Sequence, residues 1–344
     1  MFCLGEFVGP MAVGGDLRKC WGLEVRMLKL GIIGAGIMGE RLARAALEQA
    51  GESVVIAGIW DPSPASMARI GAALPGIRQL ASPAALIEAS DCVYVASPPA
   101  SHLGHARHAL SAGRAVFCEK PLAVDLADAT AFVAESRGAR AAVNFPFASS
   151  FAVSRLGEWM AAIGTPRTLT IDVAFRVWPR PWQHDAASWL DRRAEGGFTR
   201  EVVSHFLFLA RRLLGPLSLV EQLVQYPEDG SSERDIRARL MAGGVPVNLT
   251  GNVGNTPKDD HNAWTLRGDG GAIRLRDWSF AERQLPDGTW QPDPDALPNE
   301  RMRPLVLKRQ LDGVIKMAAG AEHQLATLQE AFDVQRIVEA ILQG

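Results

Sequence analysis

The sequence of 344 residues lacks any basic run and carries a formal charge of only −2, so it has no electrostatic footprint for nucleic acid or an anionic membrane. Neither is an expected partner. No apolar stretch approaches the roughly 18–20 residues of a membrane span. The first 26 residues include Glu6, Asp16 and Glu24 and lack the basic-then-apolar order of a secretory signal. Cysteine is scarce: Cys3, Cys20, Cys92 and Cys118 form no CxxC, and the last two sit in the apolar runs DCVYVA and AVFCEKP. Reduced, buried thiols in a cytoplasmic protein are the expectation. The histidines show no metal-ligand spacing, so no metal is expected. Lysine is scarce as well, with six among 36 basic side chains.

What is present is ordinary globular composition, 47% hydrophobic and 22% charged, in a chain long enough for two cores. Met27 directly precedes the first strand-like run, so residues 1–26 read as an extension or a misassigned start. From 27 to 147 short apolar runs alternate with helical stretches: LKLGIIG, IMGERLARAALEQA, SVVIAGIWD, DCVYVAS, HLGHARHALSAG, RAVFCEK and RAAVNF. That rhythm predicts βαβ units and a doubly wound parallel sheet. From 148 to 344 it changes. Successive strand-like runs (TLTIDVAFRVW, LSLVEQLVQY, RDIRARLMA, VPVNLTGNV, AWTLRGDG, AIRLRDWS) predict a mostly antiparallel sheet. Helices near Pro304–Ala318 and Leu325–Leu342 close the chain. The fold class is α/β followed by α+β.

GAGIMG places Gly34, Gly36 and Gly39 between an apolar strand and a helix, with Asp61 closing the next strand. Gly34 permits a tight turn, Gly36 lets the backbone approach a pyrophosphate, and Gly39 allows close helix packing. The helix start at Ile37 and Met38 offers N–H donors to phosphate. Asp61 suits ribose hydroxyls and would repel a 2′-phosphate, which favours NAD over NADP while leaving NADP open. SPPASH, carrying Ser97, Pro98 and His102, and VFCEKPLA, carrying Glu119 and Lys120, follow the next strands at their carboxyl ends, where open parallel sheets bind ligands. With arginine the default cation here, an ammonium at Lys120 reads as required. Glu201 and His205 stand at i and i+4 on a helix. They form either a solvated pair or a carboxylate-supported imidazole base. Trp178, Trp182 and Arg176 lie in FRVWPRPWQHDAASWLDRR, either as walls for a ring-shaped substrate or as interdomain core.

These residues resemble the glucose-fructose oxidoreductase/inositol dehydrogenase family, often called Gfo/Idh/MocA. The likeness runs from about Leu28 to Gln343: GIIGAGIMG, SPPASHLGHARHALSAGRAVFCEKPLA, EGGFTREVVSHFLFLARRLLG, WTLRGDGGAIRL and the closing LATLQEAFDVQRIVEAI. It implies a Rossmann domain followed by an open antiparallel sheet whose helix-bearing side faces the cofactor. It also implies a homodimer or homotetramer through that sheet. It implies His205 as proton acceptor from a substrate hydroxyl, Glu201 as its orienting acid, and Lys120 as the stabiliser of charge on the substrate oxygen. Hydride would pass between nicotinamide and a secondary alcohol or its carbonyl on a sugar, cyclitol or related ring. A glycosidase using transient oxidation and a non-catalytic ligand sensor are the alternatives. Two positions depart from the family pattern. Glu201 stands where Asp is usual, and Asn144, expected to touch substrate, is followed two residues on by Pro146 rather than arginine.

Overall fold

A computed structural model describes residues 27–258 and 260–343, giving the backbone alone at 184–188. The extension 1–26, with Cys3 and Cys20, lies outside the described residues. The first sheet holds β1 (Leu28–Ile33), β2 (Val54–Trp60), β3 (Cys92–Val95), β4 (Ala115–Glu119) and β5 (Ala141–Asn144). All pairs are parallel, in the order β2-β1-β3-β4-β5. β3 and β4 are buried at every residue, the signature of strands covered on both faces by crossover helices. Those helices are α1 (Ile37–Gln49), α2 (Pro64–Ala73), α3 (Pro83–Ala89), α4 (His102–Ser111) and α5 (Leu126–Glu135). Side chains of Ser63, Ser82 and Asp125 cap α2, α3 and α5, each satisfying an orphan N–H of the first turn. The strand order reverses between β1 and β3, so the crevice beyond their carboxyl ends is the topological switch point where such sheets take ligands.

After α6 (Phe151–Trp159) comes the long strand β6 (Pro166–Phe175), then α7 (Ala187–Leu190), a π turn (Thr199–Val203) and α8 (Ser204–Leu214). The remaining strands are β7 (Leu217–Gln225), β8 (Asp235–Ala242), β9 (Val245–Val253), β10 (Asp260–Gly268), β11 (Gly271–Arg276), β12 (Phe280–Gln284) and β13 (Trp290–Pro292). They form one sheet in the order β13-β12-β11-β10-β6-β9-β8-β7. Its neighbours are antiparallel except β6 and β9, which pair in parallel. β8 and β9 alternate buried with exposed residues because only one face is covered, by α6, α8 and the last helix.

Two helices end the described chain, α9 (Asn299–Ala318) and α10 (Leu328–Leu342). α9 starts five residues before the expected Pro304 and carries that proline inside it as its sixth residue. α10 starts after the expected Leu325 because Thr327 and Glu330 form a capping box. Both helices return to the first sheet, α9 against α1 and β4, α10 against α5 and β5, and Ala326 bridges Val143 at the edge of β5. No helix among the described residues is long and apolar enough to cross a membrane. Cys92 and Cys118 are free and buried, and burial pushes the Cys92 thiol up to about 12.

Candidate active site

The glycine loop performs three separate tasks. Gly34 has φ 106°, and a Cβ there would lie 2.5 Å from the Ala96 backbone. Glycine is thus required by conformation and by the close approach of the β3 end. A Cβ on Gly39 would fall 1.9 Å from the Gly34 carbonyl oxygen, so helix and loop touch only because the side chain is absent. A Cβ on Gly36 would meet nothing within 4 Å. Open space therefore lies above the start of α1, and Gly36 caps that helix without any side-chain bond. The N–H groups at Ile37 and Met38 belong to the first turn, whose donors have no intrahelical partner. This donor set fits a dinucleotide pyrophosphate. Asp61 accepts hydrogen bonds from the Ala35 and Ser63 N–H groups, both at 2.8 Å, which fixes the loop and leaves its remaining lone pairs for a ribose. No arginine follows Asp61 directly in sequence, yet the fold brings one to the loop: Arg69 of α2 donates to the Ala35 carbonyl and pairs with Glu40 at 2.7 Å.

At the carboxyl end of β4, Lys120 reaches across to the π turn. Its Nζ donates to Glu201 Oε2 at 2.7 Å, to the Glu201 carbonyl at 3.2 Å and to the Arg200 carbonyl at 3.4 Å. The pair is largely buried, with side chains 8% and 15% exposed. The expected Glu201–His205 bond is not formed. Among the described residues His205 makes no hydrogen bond; it packs edge-on against Phe145, Phe147 and Trp278. Two causes explain the correction. The turn Thr199–Val203 is π rather than α, a widening that recurs at functional sites, and an ammonium lies within reach of the carboxylate. Burial, with Lys120 and Arg180 adding to it, holds His205 well below its ordinary value, so the ring is neutral. Glu201 Oε1 is buried with no hydrogen-bond partner among the described residues.

Several residues expected to contact ligand make structural bonds within the protein. His102 is 1% exposed, and its ring nitrogens face the Ser97 carbonyl at 2.7 Å and the Pro121 carbonyl at 2.8 Å. It staples the loop after β3 to the loop after β4. Glu119 is buried and accepts from Tyr94 and from Asn144 Nδ2, the latter at 2.6 Å. Burial raises its carboxyl, while Tyr94 and Lys120 oppose the rise. Asn144, 2% exposed, also accepts from Gln310 of α9. Its amide is spent inside this network beneath Lys120 and does not face an open substrate cleft. Ser97 is partly exposed and takes a bond from Ser101 Oγ at 2.7 Å, and Pro98 is exposed. Trp178 is buried against Phe175 and Phe198, so of its two readings the core prevails. Arg176 is exposed just past β6. Trp182, unlike Trp178, is open to solvent.

The aromatic wall beside His205 comes instead from Trp278, which sequence reasoning did not single out. Asp277 (φ 48°) and Trp278 (φ 69°) are the two non-glycine residues with positive φ among those described. Such strain gathers at sites where geometry is over-determined. Here Asn262 Oδ1 holds the Trp278 N–H at 2.9 Å, and the indole Nε1 donates to Asp260 at 2.7 Å. Asp260 also lies 3.5 Å from Arg180. No group of three or more His, Cys, Asp or Glu among the described residues is arranged to hold a metal.

Residues 28–145 match the model of an oxidoreductase family with an NAD-binding Rossmann fold, GFO_IDH_MocA. Inositol 2-dehydrogenase from Klebsiella pneumoniae is 36% identical over 125 residues, covering 35% of this chain and 36% of that enzyme. The match thus spans about a third of that relative's length. An oxidoreductase from Thermotoga maritima superposes with TM-score 0.77 at 18% identity, over 92% of this chain and 96% of that one. An oxidoreductase from Agrobacterium radiobacter, solved with NAD+, L-tartaric acid and magnesium, gives TM-score 0.77 at 20% identity, over 92% and 96%. At such identities these two structures bear on fold, and they share both sheets. With the Gly34–Gly39 loop in place and Lys120 at the end of β4, residues 28–145 carry the NAD-binding Rossmann domain of the Gfo/Idh/MocA oxidoreductase family.

Proposed function

We propose that the protein is a nicotinamide-dependent dehydrogenase or reductase acting on a secondary alcohol, or its carbonyl, carried by a sugar, cyclitol or related ring. The observation that carries this reading is the 2.7 Å contact between Lys120 and Glu201. It joins a side chain at the carboxyl end of the Rossmann sheet to one on the π turn that leads into the helix bearing the neutral His205. Gly36, Ile37 and Met38 would hold the dinucleotide's pyrophosphate, and Asp61 its adenosine ribose, with NAD favoured over NADP by that carboxylate. The nicotinamide, when bound, supplies the hydride acceptor or donor. Similarity to an inositol 2-dehydrogenase supports a cyclic polyol as substrate.

This chain's own groups divide the remaining work. Glu201 aims Lys120, and the ammonium exchanges its longest bond, to the Arg200 carbonyl, for the reacting oxygen. A fixed cation there stabilises charge developing on that oxygen, the largest source of barrier lowering in such chemistry. His205 stands unprotonated among aromatic rings and accepts the hydroxyl proton during oxidation. Trp278 and Phe147 exclude water from that side.

The test is a screen of cyclitols, sugars and aromatic alcohols with NAD and NADP, following the reduced-nicotinamide absorbance, with Lys120→Met and His205→Ala beside the wild type. Stoichiometric reduction that falls at least a hundredfold in both variants supports the reading. Bond cleavage without net change in the nicotinamide band, or activity indifferent to both variants, refutes it.

A further inference from the structure

One feature of the cleft is not used by the chemistry above. Trp182, 48% exposed, has two guanidiniums on its ring: Arg41 of α1 at 5.3 Å and Arg180 at 4.8 Å from the centroid. The first comes from the nucleotide-binding half, the second from the loop after β6. Arg303, exposed on α9, lies close enough for its charge to depress both, and burial with these like charges brings Arg180 down to about 10. Against three cations stands one carboxylate, Asp260, at 3.5 Å from Arg180 and already accepting from Asn262 and Trp278. Neither Arg41 nor Arg303 makes an ion pair among the described residues. Lys120 and Glu201 neutralise each other and cannot help. Surface arginines in such numbers ordinarily find acids or point apart; here, among the described residues, a partly desolvated cluster has Asp260 as its single ion-pair partner.

The cluster also sits beside the reacting groups. The Arg180 charge acts on His205 and Glu201, and the Arg41 charge acts on Glu119 and Tyr94. The adenosine end, at Asp61 and Arg69, is served by other residues. We propose that the substrate ring carries an anionic substituent, a phosphate or a carboxylate, which Arg180 and Arg303 bind at the mouth of the cleft with Trp182 and Arg41 as the facing wall. Guanidinium is the residue type suited to this, since its planar fork matches both anions. Trp182, released from Arg180 when an anion takes that cation, is left to stack on the apolar face of the ring. This deepens the dehydrogenase reading and rests on it. The same anion chemistry is offered by the dinucleotide's own pyrophosphate, and the experiment separates the two.

Full-length wild type, Arg303→Gln and Arg180→Gln are compared with glucose, glucose 6-phosphate and glucuronate at saturating dinucleotide, and the Kd for NAD is measured without substrate. The expected result is a wild-type kcat/KM at least thirtyfold higher for an anionic member of the set than for glucose. Arg303→Gln should then raise the KM of that member about tenfold to a hundredfold, the value of one charge-assisted contact, with kcat within threefold and the NAD Kd unchanged. A preference for glucose overturns the proposal, as does an Arg303→Gln variant that weakens NAD while leaving substrate discrimination intact. If none of the three turns over, the dehydrogenase reading has failed for this set, and the anion site is judged by inorganic phosphate quenching of Trp182 fluorescence in the NAD-loaded protein, with Trp182→Phe as blank. Quenching lost in Arg303→Gln sustains the site, and absence of quenching sinks it.

Discussion

Substituting alanine at Gly36 and at Gly39 should separate ligand binding from folding within one loop of six residues. At Gly39 the new Cβ would stand 1.9 Å from the Gly34 carbonyl oxygen. The closest comfortable C–H···O approach is about 3.3 Å, so α1 must retreat from β1 by more than 1 Å. Overpacking of this kind costs about 1–3 kcal/mol, which for a chain of this size lowers Tm by roughly 2–10 °C. At Gly36 the new methyl meets nothing within 4 Å, and the backbone there, φ −76° and ψ −168°, is one that alanine adopts freely. Loss of glycine at an N-cap costs about 0.5–1 kcal/mol, a Tm change near the edge of detection. Yet that methyl occupies the space a pyrophosphate needs, and a tenfold loss of dinucleotide affinity, about 1.4 kcal/mol, is the minimum expected. Thermal unfolding with and without NAD reads both effects. At a ligand concentration of 100 Kd the wild type gains about 2.7 kcal/mol, and a tenfold weaker variant gains about half of that. A Gly36→Ala protein that keeps the full ligand-induced shift would refute the placement of the pyrophosphate over this residue.

Three further outcomes follow from the site. In a double-mutant cycle by urea unfolding, Glu201→Gln should couple to Lys120→Met by about 1–3 kcal/mol, as contacting charged partners do, and should be additive with His205→Ala; the reverse pattern would restore the Glu201–His205 pair. Because His205 is held below its ordinary value by burial, then by Lys120 and Arg180, the unfolded chain binds a proton that the folded chain refuses. Its contribution to stability is therefore full above about pH 6.5 and lost as pH falls toward the depressed value, and a His205→Asn variant should show a flatter pH–stability curve between pH 6.5 and 4.5. Asp61→Ser removes the carboxylate that would repel a 2′-phosphate, so the ratio of kcat/KM for NAD to that for NADP should drop more than tenfold; an unchanged ratio would place the adenosine ribose elsewhere.

The local parts of this molecule were legible and the long-range parts were not. Alternation in RDIRARLMA and VPVNLTGNV gives β8 and β9 almost to the residue, because one solvated face imposes a period of two. Glycine spacing gave the loop, since conformation and close packing act within a few residues. Glu201 and His205 were read as a pair from α-helical periodicity. The π turn changes that local geometry, and a lysine 81 positions away wins the carboxylate. Tyr94, Gln310 and Trp278 had no sequence signal, because their roles exist only where β3, α9 and the turn after β11 meet other elements. Asn144 at the end of β5 and His102 at the start of α4 carry buried hydrogen-bond networks that no sequence signal gave: a polar side chain beneath a site looks, in sequence, like one that lines it.

α10 gives the cleft a fixed edge. Gln335 clasps both the N–H and the carbonyl of Ala123 in the loop that follows Lys120, at 3.2 and 2.6 Å. One turn later, Glu339 grips Arg200, the residue before Glu201, through two bonds of 2.7 Å. Glu330 and Asp333 hold Arg212 and Arg211 of α8 in the same manner. A single helix thus acts as a spine to which the loop of Lys120 and the turn of Glu201 are both bound, like two covers of a book. Along that spine the halves cannot separate without breaking these partly buried bonds. The two covers meet again at Arg41 and Arg180, which both rest against one exposed tryptophan, Trp182.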